Sequence, residues 1–222
     1  MIQRQRERER ESKQPIALSL GVSDCSPWDL EMAQKGYLVL QYDGSIEKSP
    51  DLHKNIIFHK KFVGTKNDSK TISLEQILQD YNLDVKAHNI LQMDIEGAEW
   101  DIFEKLDFVL LEKYFAQIIV EFHWIDPRNR FQSIRYLAIL EKFNKAFQSI
   151  CLHICTHSDY YSTGNTFFGE VIEVSYAKRD LLPKDFTLRS VCGNIEGLDY
   201  PNSPRHINIP IWFGVEGLNK LN

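Results

Sequence analysis

Short apolar runs that stop abruptly on a carboxylate or a glycine turn constrain this chain more than any other feature. The runs are PIALSL, YLVLQY, NIIFHKKFVG, HNILQM and FAQIIVEF. Each has the length of a strand rather than a helix, and turn residues bound it. Between them lie stretches of helical character. Ser26 and Pro27 suit the cap and first position of a helix that Gly36 stops. Ser73 and Glu75 open a second, with Leu74, Ile77 and Leu78 on one face. Trp100, Phe103 and Leu106 mark a third, and IRYLAILEKFNKAF a fourth; SICLHIC and EVIEVSYAKRD read as later strands. Ile118 to Val120 form a continuous apolar centre, the pattern of a strand covered on both faces. This alternation predicts an α/β fold with a doubly wound sheet joined by right-handed crossovers.

In such a sheet, ligands sit beyond the carboxyl ends of the strands. The polar residues that fit the apolar pattern worst all fall there: Gly21 to Asp24, Asp43, Asp94 to Glu96, and Glu121 to His123. The stretch LQMDIEGAEW alone places three acids within six residues. Four coincidences of this kind predict a binding site along one edge of the sheet.

The chain of 222 residues suits one well-buried domain. Its first 14 residues, MIQRQRERERESKQ, carry charge without an apolar core, so they are expected to be a disordered leader rather than an export signal. Residues 15–222 are expected to form a single domain whose tail, from about 183, is irregular. No run is long and apolar enough to span a bilayer. With no export signal, the four cysteines are expected to be reduced thiols in the cytoplasm. A net charge of −5 disfavours a broad nucleic-acid surface, so no nucleic-acid partner is expected. Cys151, His153, Cys155 and His157 lie in strand-like alternation rather than in the paired turns of a structural zinc site. The apolar tail segment IPIWFGV suits a packing or subunit surface, and the oligomeric state stays open.

The first turn, LGVSDCSPWD, has a single glycine and so lacks the dinucleotide fingerprint. Asp43 follows Gly21 by 22 residues and ends the second strand, where a carboxylate can accept ribose hydroxyls. Both NAD and S-adenosylmethionine carry such a ribose. A turn with an acid but few amides for phosphate fits the phosphate-free sulfonium cofactor better. Asp43-Gly44 also reads as a plain turn.

The pairing of SLGVSD and QYDGSI with LQMDIEGAEWDIF resembles the FkbM-like S-adenosylmethionine-dependent methyltransferases. VEFHWID, VIEVSYAKRD and GLDYPNSPRHINI agree, so the resemblance runs from about residue 16 to 209. Two departures stand out. Ser23 occupies the place of a second glycine in the first turn, and His153 to Ser158 replaces a segment that relatives write His-x-His-x-Asn-Asn. The resemblance implies a Rossmann-like methyltransferase sheet, mostly parallel with an antiparallel edge strand. It also implies S-adenosylmethionine as cofactor and methyl transfer, to oxygen more than to nitrogen, on a small-molecule or carbohydrate hydroxyl.

Placed on that fold, Gly21 and Ser23 border the amino-acid portion of the cofactor, Asp24 pairs with its ammonium, and Asp43 with Gly44 takes the ribose. Phe62 and Val63 are candidates to pack on adenine, or are ordinary core. Asp94 faces the methionine moiety or the acceptor. His123 is the expected general base, with Glu96 or Glu121 to orient it. Glu99 is assigned to the start of its helix, where a carboxylate is favoured, and Trp100 to the core. No metal is expected, although Asp94, Glu96 and His123 are of the right types for Mg²⁺ or Mn²⁺. Two other readings are an NAD-dependent oxidoreductase, and a degenerate methyltransferase fold used as a binding module.

Overall fold

Leu18, Leu20, Leu40, Leu91, Met93, Ile118, Val120 and Phe122 share one buried cluster with Trp100, Phe103 and Phe143. Ala17, Val39 and Ile90 pack with Met32 and Ala33 in a second, which Ile119 also touches. The two clusters lie on opposite faces of one sheet, since neighbouring strand residues point to opposite sides. This is why the run Ile118 to Val120 is apolar without a break: each face has its own helices to meet.

The computed structural model describes residues 14–163 and 166–187, and beyond these only 195, 200–202, 205, 206 and 209. Leader residues 1–13, Cys192 and all but the first residue of IPIWFGV lie outside the described residues. The strands are β1 (Ile16–Leu20), β2 (Leu38–Tyr42), β3 (Ile56–His59), β4 (Phe62–Gly64), β5 (Thr71–Ser73), β6 (Ile90–Met93), β7 (Gln117–Phe122), β8 (Phe147–Ile154), β9 (Tyr160–Thr163), β10 (Thr166–Gly169) and β11 (Ile172–Lys178). The helices are α1 (Pro27–Gln34), α2 (Leu74–Tyr81), α3 (Glu99–Lys105), α4 (Phe108–Tyr114) and α5 (Arg130–Ala146).

Seven strands form the main sheet in the order β3-β2-β1-β6-β7-β11-β8. The first five run parallel. The expected antiparallel pairing at one edge is present: β11 runs antiparallel between β7 and β8, and β8 is the edge strand itself. The α/β sheet is therefore the mostly parallel, doubly wound one that the alternation predicts. Its strand order reverses between β1 and β6, and in sheets of this kind that switch point opens the ligand crevice.

Two local readings differ from expectation. NIIFHKKFVG is two strands, because the polar step through Lys60 and Lys61 ends β3 and lets β4 leave the main sheet to pair with β5. Ser26 makes no side-chain cap for α1, whereas Ser73 accepts from the Gln76 amide at the start of α2. The β9–β10 hairpin has no counterpart in the sequence reading.

Candidate active site

The first turn is built by backbone proximity. Gly21 has φ +82, and a Cβ there would lie 1.7 Å from the Asp94 carbonyl oxygen. No other residue type lets the ends of β1 and β6 approach so closely. The Gly21 amide donates to the Tyr42 carbonyl and the Asp94 amide to that of Leu20, each at 2.9 Å. Ser23 also adopts a left-handed backbone, φ 60, which accounts for a glycine-like place in the turn.

Asp43 holds this turn from the neighbouring strand. One of its carboxylate oxygens accepts the Val22 and Ser23 amides, both at 2.9 Å. The other accepts the Ser45 amide at 2.7 Å and the Ser45 hydroxyl at 2.6 Å. Burial pushes the carboxyl up, but the Ser45 hydroxyl and the three amides outweigh it and the pKa falls below the usual range. A carboxylate offers about four acceptor positions, and the chain fills all of them. Asp43 is thus a clamp on the turn, a role that competes with the ribose contact expected of it.

Beyond the strand ends lies a cavity of about 640 Å³, lined among others by Gly21, Ser23, Trp28, Asp43, Gly44, Ser45, Phe62, Val63, Asp94 and Glu96. Phe62 is half exposed and rests against Gly44, where a Cβ would meet its ring at 2.4 Å. Val63 is buried. Asp24 is exposed and does not line the cavity; its carboxylate accepts a 3.4 Å bond from the Ser23 hydroxyl.

At the Asp94 end, carboxylates converge on His123, which is 5% exposed. Glu99, at 0% exposure, takes the Ile95 amide at 2.8 Å and His123 Nδ1 at 3.2 Å on a single oxygen. His123 Nε2 faces Asp94 Oδ1 and Glu96 Oε2, each at 3.6 Å, and Glu121 Oε1 at 3.9 Å. Glu173 joins from β11, directly opposite Glu121 in the β7–β11 register. The Trp100 indole donates to the His123 carbonyl at 2.7 Å and stacks on Phe122 and Tyr136, so the histidine backbone is fixed from the core.

These charges set the acidity of the groups. Burial pushes the Asp94 carboxyl up to about 6, His123 opposing and Glu96 and Glu99 adding. Burial and the Asp94 charge push Glu121 up to about 7. For His123, burial works downward, yet the hydrogen bond and charge of Glu99, with Glu121 and Asp94, hold it up to about 9. The surrounding carboxylates thus favour the protonated form of the imidazole over the neutral form that a general base uses.

Backbone strain gathers on the same rim. Ser23, Glu96 and Trp124 have φ of 60, 58 and 61, and Gly97 has φ 106. A Cβ at Gly97 would lie 2.3 Å from the Trp124 indole nitrogen, so the exposed indole sits directly over that glycine.

Sequence reasoning brings Gly21, Ser23, Asp43, Gly44, Phe62, Val63 and Asp94 to one cavity, with Glu96, Glu121 and His123 at its end. It misses Trp28, Ser45, Trp124 and Glu173, and also the contact that Glu99, correctly placed at the start of its helix, makes with His123. Only Glu99 carried a signal, being the third acid of LQMDIEGAEW. Cys151, His153, Cys155 and His157 do not assemble as a ligand set among the described residues. Instead Asn202, from the tail, accepts from the Thr156 amide at 2.9 Å and lies 3.0 Å from His153 Nε2.

The family model described as the methyltransferase FkbM domain matches residues 4–151. The chain belongs to that family. Among curated proteins, none matches the sequence. Three solved structures of the 16S rRNA (adenine(1408)-N(1))-methyltransferase from Catenulisporales acidiphilia are similar, two of them single-substitution mutants and the third without either substitution. They share 10%, 11% and 12% identity, with TM-scores of 0.37, 0.38 and 0.38. Each alignment covers 79% of this chain and 90–92% of the other. At that identity the likeness concerns the fold and does not extend to what this chain methylates. These similar structures are methyltransferases of an RNA, which runs against the expectation of no nucleic-acid partner; at such identities and TM-scores they do not assign this chain an RNA partner. Membership in the FkbM family makes the chain a methyltransferase. No helix among the described residues is long and apolar enough to cross a membrane.

Proposed function

We propose that the chain transfers a methyl group from S-adenosylmethionine to a hydroxyl of a small-molecule or carbohydrate acceptor, in the cytoplasm. The observation that carries this reading is the cavity at the β1–β6 switch point. It runs from an apolar end at Phe62 and Val63 to an acidic end at Asp94 and Glu96. Adenine suits the first end, and a positively charged sulfonium suits the second. Gly21 and the amides that Asp43 fixes let the cofactor lie against the backbone between them.

The reaction is an in-line displacement. S-adenosylmethionine, held between Phe62 and the Gly21 turn, would supply an activated methyl group for the acceptor oxygen to take up, with S-adenosylhomocysteine as the other product. The hydroxyl proton leaves to a carboxylate of the rim. Asp94 is the residue suited to that role, since it both lines the cavity and faces His123. Positioning the acceptor oxygen, the methyl carbon and the sulfur in line supplies much of the rate. Asp43 acts at one remove, as a positioning residue for the first turn.

Calorimetry with S-adenosylmethionine and S-adenosylhomocysteine tests the reading. Saturable binding to one site is expected, weakened at least tenfold by Phe62→Ala. Absence of binding by the unsubstituted chain overturns it. Production of S-adenosylhomocysteine with hydroxylated acceptors, and its loss when the acceptor hydroxyl is removed, tests the oxygen chemistry.

A further inference from the structure

His123 presents an unusual pair of ring nitrogens. Its side chain is 7% exposed, and Glu99 engages Nδ1 from full burial. Nε2 points into the carboxylate ring, yet its nearest oxygens, on Asp94 and Glu96, stand at 3.6 Å, too far for a hydrogen bond. Across from it, Asp94 Oδ1 is buried and has no hydrogen-bond partner. A buried carboxylate oxygen without a hydrogen-bond partner is costly and calls for an explanation.

One ligand atom each from Asp94, Glu96 and His123 lie within 4.8 Å of one another. Around an octahedral ion with bonds near 2.1 Å, neighbouring donors are roughly 3 Å apart and opposite donors roughly 4.3 Å. The observed 3.6 Å spacings fall between these values, so small side-chain shifts close the site on an ion. A metal-bound histidine generally has a carboxylate behind its other nitrogen, which fixes ring and tautomer. Glu99 already occupies that place. The pocket is strongly negative besides, with Glu121 and Glu173 adding charge from β7 and β11.

We propose that Asp94, Glu96 and His123 Nε2 bind a divalent cation, which takes the place of the Nε2 proton, with Glu99 as the carboxylate that orients the histidine. Two carboxylates and one imidazole favour Mn²⁺ over Ca²⁺, which prefers oxygen alone, and leave positions open for water or an acceptor. Its catalytic use rests on the methyl-transfer reading: the ion would make an acceptor hydroxyl more acidic, so that its proton could pass to solvent. Binding of the ion does not rest on that reading.

Mn²⁺ titration of the full chain, followed by the electron paramagnetic resonance signal of unbound Mn²⁺, tests the proposal without cofactor or acceptor. One site per chain is expected. Glu96→Gln, on an exposed side chain that does not support the fold, should weaken it at least tenfold, and Glu99→Gln by about 10-fold to 100-fold. No Mn²⁺ binding, or binding unchanged in both variants, overturns the site. S-adenosylmethionine binding measured on the same samples separates the two readings. Cofactor binding without Mn²⁺ binding removes only the cation site, and the converse removes only the methyl-transfer reading.

Discussion

Glu99 Oε1 stands 3.2 Å from His123 Nδ1, and both side chains are enclosed by the protein. The acid at the start of α3 therefore turns inward, across to the end of β7, and couples the two elements that bound the acidic end of the site. The same oxygen takes the Ile95 amide, so it also fixes the loop carrying Asp94 and Glu96.

Glu99→Gln should keep the packing but lose the charge that His123 faces. A cost of about 1–3 kcal/mol is expected, as for a buried charged hydrogen bond. Glu99→Ala should cost about 3–5 kcal/mol, because the imidazole is left as a buried, unpaired partner. Urea unfolding followed by circular dichroism checks both. Equal stability of Glu99→Ala and the unsubstituted chain would show that the contact contributes nothing.

Asp43 links stability to acid. Its carboxyl pKa is lowered in the folded chain, so its contribution is fully present above the unfolded value near 4. It is lost as pH falls through the lower folded value. Asp43→Asn should remove this dependence and cost about 1–3 kcal/mol near neutrality, since an amide nitrogen cannot accept from the amides it would face. Melting temperatures at several pH values between about 2 and 5 should converge for the two proteins as pH falls. Parallel curves would contradict the clamp.

Gly21 and Ser23 should respond in opposite ways. Gly21→Ala sets a Cβ against the Asp94 carbonyl at a positive φ, and a loss of about 3 kcal/mol or more is expected, with cofactor binding abolished. Ser23→Gly relieves a left-handed backbone and should gain up to about 1 kcal/mol, the greater freedom of glycine in the unfolded chain offsetting part of it. Thermal unfolding of the two variants checks the pair.

Trp100→Phe retains the stacking on Phe122 and Tyr136 but leaves the buried His123 carbonyl without its donor. A loss of about 1–3 kcal/mol is expected. A shift of the His123 ring resonances in the nuclear magnetic resonance spectrum should accompany it. Unmoved resonances would mean that the core does not position the histidine.

Much of the fold is legible because its signals are local. The lengths of the apolar runs, and an unbroken Ile118 to Val120, suffice to place a parallel sheet with two covered faces. The carboxyl-end rule then gathers Gly21, Asp43, Asp94 and His123. What stays hidden depends on direction and pairing. The sequence position of Glu99 marks a helix start, and only the packing of α3 against β7 turns the carboxylate toward His123. Glu173 meets Glu121 through an antiparallel register that no spacing reveals. Asp43 is identified as a site acid, but its four donors come from residues on both sides of it in the chain, and sequence order does not show that they converge.

The left-handed backbone at Ser23, Glu96 and Trp124 has a consequence for how this protein can drift through related sequences. At those positions valine, isoleucine and threonine are disfavoured by backbone geometry alone, whatever chemistry the rim performs. Gly97 is barred from gaining a side chain while Trp124 keeps its pose. Substitutions at the rim are thus filtered first by conformation and only then by activity. Trp28, Ser45 and Glu173 carry no such backbone constraint.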